Sequence, residues 1–426
     1  MNVFPRALLL VVVFRLITVS GRPVLSDNRT LDATTIKDPA DRNDLQHLQI
    51  LFRHGDRAPV IDVFHDTIPV ESLWPNGMGQ LTNLGIQQEF SLGSWFREQY
   101  GYYVPRFYNA SDIYVRSTET DRTMMSAQSF LAGLYNCTDS QCPLVPFGIA
   151  WSPVPVHTVA PKDDRVFRVT NCPRLIKFQR DLEHSEESDK FFQKYENLIV
   201  LLKKGTSLPE VTRHLIPYVA DYVICLKAHN FTLPEWCTDK IYQELREVQY
   251  YLWREAVSFS KDAVRMEIGV FMKLLADTLT AATQRSAPYH ESPIKRLLVY
   301  STHDEYMDFL LIALGYSNKE MMKYAGAIIF ELFGPAPPSR LESYHLKLRF
   351  KKGWSDKKAD YVQILPCTKE PAEEGCRLDQ VIGHLKSMWL TEDEYDEMCR
   401  LKDGSSRQSV NQMALVLTAL GIFNQI

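Results

Sequence analysis

The sequence predicts an α/β fold, a mixed sheet flanked by helices that carries a mostly helical insertion. Three observations predict it. Short apolar runs with strand character at Leu48–Phe52, Asp112–Val115 and Leu297–Tyr300 each lead, directly or after a turn-rich stretch, into a helix-periodic segment. Between the second and third runs, roughly 172–285 is almost wholly helix-periodic. Further strand-like runs then follow at Ala327–Phe333, Tyr344–Phe350 and Tyr361–Leu365.

Taken in order, residues 1–21 read as a secretory signal, with Arg6 as its positive head, Ala7–Phe14 as its apolar core and Val19-Ser20-Gly21 as a small-residue cleavage region. Arg15 interrupts the apolar run, which is too short to span a bilayer. Ser26–Asp44 is a polar lead-in. The α/β body is expected over 45–150 and 290–400. Its first helix begins near Asn83 and carries Ile86, Phe90, Leu92 and Phe96; its second follows Thr118-Glu119-Thr120-Asp121, a capping-box-like pattern. Proline-rich 151–170 marks a boundary, and 151–289 is expected to form the helical cap subdomain, with Tyr250, Tyr251 and Trp253 in its core. After Leu297–Tyr300, Thr302-His303-Asp304-Glu305 reads as a capping box for a helix that Gly315 stops. The 404–426 tail joins small residues and a polar spacer to an eleven-residue apolar run, Met413–Phe423, a layout shared by lipid-anchor signals and by ordinary amphipathic or disordered tails.

Composition narrows the function classes. The 426 residues are 45% hydrophobic and 23% charged, ordinary values for a soluble globular chain. A net charge of −4 argues against nucleic-acid binding, so a basic cluster here reads as a local pocket. Eight cysteines (137, 142, 172, 225, 237, 367, 376 and 399) and four N-x-[ST] sequons at Asn28, Asn109, Asn136 and Asn230 suit an exported glycoprotein. No cysteine pair has zinc-site spacing and no HExxH occurs, so no metal and no cofactor are expected.

The chemistry gathers at the strand ends. Arg53-His54-Gly55-Asp56-Arg57-Ala58-Pro59 puts two guanidinium groups and an imidazole at the carboxyl end of a buried strand, where open α/β sheets place ligands. Arginine forks fit the oxygens of a tetrahedral anion, and Gly55 permits close backbone approach. Arg116 ends the second strand at a strand-to-helix turn, and His303 and Asp304 end the third. This set suits phosphoryl transfer. A neutral imidazole is a competent nucleophile, arginines neutralise the equatorial oxygens, and a carboxylic acid opposite the nucleophile protonates the departing alkoxide. The donor acts protonated, which favours acidic pH, and a bound phosphate together with Glu305 is expected to raise its pKa.

These motifs, with Trp74-Pro75-Asn76-Gly77-Met78-Gly79-Gln80-Leu81-Thr82, Pro155-Val156-His157-Thr158-Val159 and His229-Asn230-Phe231-Thr232-Leu233-Pro234, resemble the histidine acid phosphatases of the lysosomal/prostatic type over about residues 45 to 400. The resemblance implies a phosphoglycerate-mutase-like mixed sheet with a helical cap and no metal. It implies His54 as the phosphorylated nucleophile, Asp304 as proton donor, and Arg53, Arg57, Arg116 and His303 as the phosphate-holding groups. It pairs Cys172 with Cys399 and Cys367 with Cys376, and leaves Cys225 with Cys237 and Cys137 with Cys142. Small phosphomonoesters are the expected substrates, phosphopeptides and lysophospholipids included, in a secreted, lysosomal or surface-anchored protein. Relatives often dimerise. Glu305 departs from the small hydroxyl residue that relatives often carry there. The rival readings are a phytase of the same superfamily, a phosphate-shuttling mutase and a secreted phosphoester-binding pseudoenzyme.

Overall fold

The computed structural model describes residues 44–401 except 64–69, 137–141, 168–171, 209, 256–257, 259, 288–290 and 317–320. The expected signal, the C-terminal tail, Asn28 and Cys137 lie outside the described residues.

The seven-stranded sheet is built around β1 (Leu45–Arg53). One neighbour is β3 (Leu297–Thr302), parallel to β1 and itself parallel to β2 (Ile113–Ser117). On the other side β4 (Ala327–Phe333) and β5 (His345–Lys351) continue antiparallel, and β6 (Asp360–Val362) and β7 (Cys376–Arg377) both pair with β5. The sheet is therefore mixed. β1 and β3 are buried along nearly their whole length because both of their faces are covered, and the polar His47 and Gln49 of β1 are buried with hydrogen bonds to the Lys295 carbonyl and Thr278.

Register brings the motifs together. Arg53 pairs with Thr302 and Ser117 with Ser301, so three parallel strands stop within about one residue of each other. The residues that follow each of them emerge at one edge of the sheet.

Helices α1 (Val70–Leu73), α2 (Asn83–Tyr100) and α3 (Asp121–Leu134) follow the first two strands. Thr82 caps α2 through the Gly85 amide. α2 and α3 pack closely through glycines; a Cβ on Gly93 would stand 1.9 Å from the Phe130 carbonyl. Their apolar faces cover Ile50, Phe52 and Val115 of the sheet.

The stretch expected as one helical cap divides between two cores. α4 (Pro173–Glu183), α5 (Glu186–Gln193), α6 (Glu196–Gly205), α7 (Ile216–Ala228), α8 (Asp239–Tyr250) and a π-helical turn at Tyr251–Glu255 come first. α5 to α8 close around Phe192, Leu202, Val219 and Val248, together with Ala58, Ile61 and Trp74 of the loop after β1. The long helix α9 (Lys261–Gln284) instead buries Phe271, Leu275 and Leu279 against the sheet, beside α10 (Asp304–Ala313), α11 (Leu378–Met388) and α12 (Glu392–Cys399). Periodicity marks 261–284 as helix without saying which core its apolar face joins, so the packing break falls before residue 261.

Cys172 is bonded to Cys399, and Cys367 to Cys376. Cys142 is also disulfide-bonded. The expected Cys225–Cys237 bond is absent and both thiols are free. Helix geometry explains this correction. Cys225 turns inward from α7 toward Tyr324, Asp221 and Arg57, whereas Cys237, beyond the helix end, sits among Lys227 and Asp239.

Candidate active site

His54 follows β1 directly and is buried. Its Nδ1 lies 2.8 Å from the Gly55 carbonyl oxygen, which only accepts, so Nδ1 carries the proton and Nε2 keeps its lone pair. Burial first, and then the neighbouring Arg122, Arg53, His303 and Arg57, hold the imidazole well below its ordinary pKa. The result is a neutral, oriented imidazole among cations. Gly55 serves a neighbour rather than a ligand: a Cβ on it would stand 2.4 Å from the Gly85 carbonyl at the start of α2.

Arg53 joins two walls of the site. Its Nη2 pairs with Asp304 Oδ2 at 2.8 Å, its Nη1 donates to the Met322 carbonyl at 2.5 Å, and its guanidinium lies 4.1 Å over the Tyr324 ring. Arg57 forks onto both oxygens of Asp221 on α7, at 2.9 and 3.0 Å. The His303 ring stands edge-on to His54 with centroids 5.5 Å apart. Thr118 Oγ1 lies 3.1 Å from His303 Nε2, and Arg122 Nη2 lies 3.5 Å from His303 Nδ1. Since Arg122 only donates, Nδ1 accepts and Nε2–H donates to Thr118.

Arg116 does not join this cluster. Strand alternation buries its neighbours Val115 and Ser117 and turns Arg116 to the other face of β2, where it pairs with Asp164 at 2.7 Å. Asp164 is fixed there by the Val166 and Phe167 amides. Arg122, in the first turn of α3, stands in the pocket instead, beside His303. Burial first, and then Arg57, pull its guanidinium down to about 9, still charged at acidic pH. The reading from sequence missed Arg122, Thr118, Asp221 and Tyr324. For Arg122 a signal was present: a cation in a first helical turn opposes the helix dipole, and a residue that breaks a local rule marks a site.

The expected capping box at α10 is also absent. The N-cap is His303 with no side-chain cap bond, and the Thr302 hydroxyl, at the end of β3, is buried without a partner among the described residues. Glu305 is left open to water in the first turn of α10, between Tyr218 of α7 and Glu267 of α9. The enclosing walls, and then the Asp304 charge, push its carboxyl up to about 8. Of the described sequons, Asn109, Asn136 and Asn230 are all exposed.

Residues 44–365 match the family model of the histidine phosphatase superfamily (branch 2). The lysosomal acid phosphatase of Xenopus laevis is 33% identical over 298 residues, which cover 69% of this chain and 67% of the relative. The prostatic acid phosphatase of Homo sapiens is 33% identical over 314 residues, covering 71% of this chain and 77% of the relative. Among solved structures, the phytase from Citrobacter braakii superposes with a TM-score of 0.59 at 17% identity, covering 84% of this chain and 100% of that one, a likeness of fold alone.

Proposed function

This chain belongs to the histidine phosphatase superfamily, branch 2, among relatives named acid phosphatases, and on that premise we propose that it hydrolyses phosphate monoesters at acidic pH through a phosphohistidine on His54. The lone pair of His54 Nε2 attacks phosphorus and the ester P–O bond breaks. Asp304, protonated, gives its proton to the departing oxygen. Water then attacks the phosphohistidine and returns a proton to Asp304, and the P–N bond breaks to release inorganic phosphate. Arg53, Arg57 and Arg122 neutralise the equatorial oxygens. His303, edge-on to His54 and beside Arg122, lines the same pocket.

One observation carries this reading: the Gly55 carbonyl locks His54 as the Nδ1–H tautomer, while Arg53 ties the Asp304 carboxylate to the same pocket. The disulfides Cys172–Cys399 and Cys367–Cys376 and the exposed Asn109, Asn136 and Asn230 support a place in the secretory pathway, with glycans on those asparagines. The test is phosphate release from simple monoesters at acidic pH, with a rapid quench into alkali to trap labelled phosphate on imidazole. Wild-type protein is expected to turn over and to carry the label, and His54→Ala to do neither. Turnover that survives His54→Ala would remove the phosphohistidine from the mechanism.

A further inference from the structure

A second feature adjoins the phosphate pocket, a cleft of about 640 Å³ that has Arg53 and Asp304 in its wall. That volume lies within the range of about 300–1,000 Å³ in which proteins hold small organic ligands. The proton donor must face the ester oxygen that leaves, opposite His54, so the leaving group lies on the Asp304 side. The cleft on that side is where it goes.

The far wall is α8 and the π-helical turn. Tyr242, Arg246 and Tyr250 stand at four-residue spacing on one face of α8, and Trp253 follows, all lining the cleft. Sequence reading grouped Tyr250 and Trp253 with Tyr251 as core. Only Tyr251 is buried there, stacked on Phe191 at 3.7 Å, while Tyr250 and Trp253 remain partly open to the cleft. Partly exposed aromatic rings along one wall suit a planar apolar body.

The charges along the cleft do not cancel. Its carboxylates are already engaged: Asp304 by Arg53, Asp221 by Arg57, and Glu247 by Lys194 at 3.4 Å and by the Tyr195 hydroxyl at 2.5 Å. Arg246 and Lys323, both exposed and both in the lining, have no carboxylate within ion-pair reach among the described residues. Two positive charges are left over, Arg246 between the rings of the α8 wall and Lys323 beside Met322 and Tyr324.

We propose that this cleft is the leaving-group subsite and that it selects phosphate monoesters of planar aromatic alcohols bearing a second anionic group. The inference rests on the phosphomonoesterase reading above, and the experiment separates the two. Full-length enzyme is assayed at acidic pH on 2-naphthyl phosphate, 6-carboxy-2-naphthyl phosphate and glycerol 2-phosphate. Wild type is expected to favour the carboxylated naphthyl ester over the plain one by about fivefold in kcat/KM, chiefly through KM, as one or two exposed charge contacts allow. Salt near 1 M should erase that preference. Arg246→Glu and Lys323→Glu, both exposed changes, should each reduce it while leaving 2-naphthyl phosphate within about twofold. Trp253→Ala should weaken both aryl esters against glycerol 2-phosphate. Equal rates on the two naphthyl esters in wild type, or a preference that survives both charge reversals, would overturn the subsite and leave the phosphatase reading standing. No turnover of any of the three esters would remove the phosphatase reading and the subsite with it.

Discussion

His229 Nε2 lies 2.6 Å from Asp56 Oδ2, joining the residue two places after His54 to the end of α7. Thr82 Oγ1 donates to the same oxygen at 2.5 Å, and Trp74 packs edge-on against the His229 ring. One residue further on, Arg57 forks onto Asp221 of the same helix, which also accepts from the Val60 amide at 3.2 Å. α7 therefore holds the loop after His54 at two points. His229→Ala leaves the Asp56 carboxylate, 1% exposed, with Thr82 as its one side-chain donor among the described residues. Breaking such a buried pair is expected to cost about 2–4 kcal/mol. Urea unfolding should show the midpoint falling with an unchanged slope, and KM should rise more than kcat falls. A variant within about 0.5 kcal/mol of wild type would show the contact to be idle.

Arg122 and Arg116 are expected to respond oppositely. Arg122 stands 3.5 Å from His303 and is the largest charge influence on His54, so Arg122→Ala should lower kcat/KM by about 10²- to 10³-fold. Arg116→Ala removes the partner of Asp164 on the other face of β2 and should cost about 1–3 kcal/mol of stability with little change in turnover. Steady-state kinetics on both variants beside thermal melts decide it. A large kinetic loss in Arg116→Ala with none in Arg122→Ala would reverse the assignment.

Much of this was legible in the chain, and the gaps have physical causes. The strand runs, the Arg53–Arg57 motif and the His303-Asp304 turn are local patterns, and the parallel register of β1, β2 and β3 brings them together. Arg116 and Arg122 both flank the turn after β2, and linear order alone does not say which one faces the pocket; the alternation of β2 settles it. The helix over 261–284 showed its period but not its partner, because a 3.6-residue repeat marks an apolar stripe without naming the core it joins. The Cys225–Cys237 pairing failed for a similar reason: a cysteine standing in for a relative's partner has no guarantee of reaching it, and Cys225 turns inward from its helix away from Cys237.

Buried carboxyls tie stability to acidity. Burial, opposed by Arg254, raises Asp308 to about 7, and burial likewise raises Glu89, Glu267 and Glu331. A carboxyl whose folded pKa is raised stabilises fully below its unfolded pKa, and that contribution is lost as pH climbs through the folded value. For Asp308 the window runs from about 4 to about 7 and is worth roughly 4 kcal/mol. His47 works the other way: burial lowers it to about 4, so its contribution is lost as pH falls below its unfolded value. The carboxyls outnumber His47 and His54, so the fold should be more stable near pH 5 than near pH 8. Asp308→Asn, which keeps an oxygen for the Met322 amide, should flatten part of that slope in melts taken across the range. An unchanged slope would show that Asp308 is ionised in the fold.

Glu305 should shape the alkaline side of activity. Its enclosing walls, and then the Asp304 charge, bring its carboxyl up to about 8 against the pull of Arg53, Arg57 and Arg122. At acidic pH it is neutral and does not repel a phosphate dianion in the adjoining pocket. Above about 8 it ionises, and a carboxylate near the dianion should raise KM by about three- to tenfold through repulsion in a partly screened cleft. Glu305→Gln keeps the shape and removes the titration. Its KM at pH 5 should equal that of wild type, and the rise above pH 8 should disappear. A Glu305→Gln enzyme whose KM falls by the same factor at pH 5 as at high pH would mean that the carboxylate is charged throughout, and that this glutamate weakens substrate binding under acidic conditions as well.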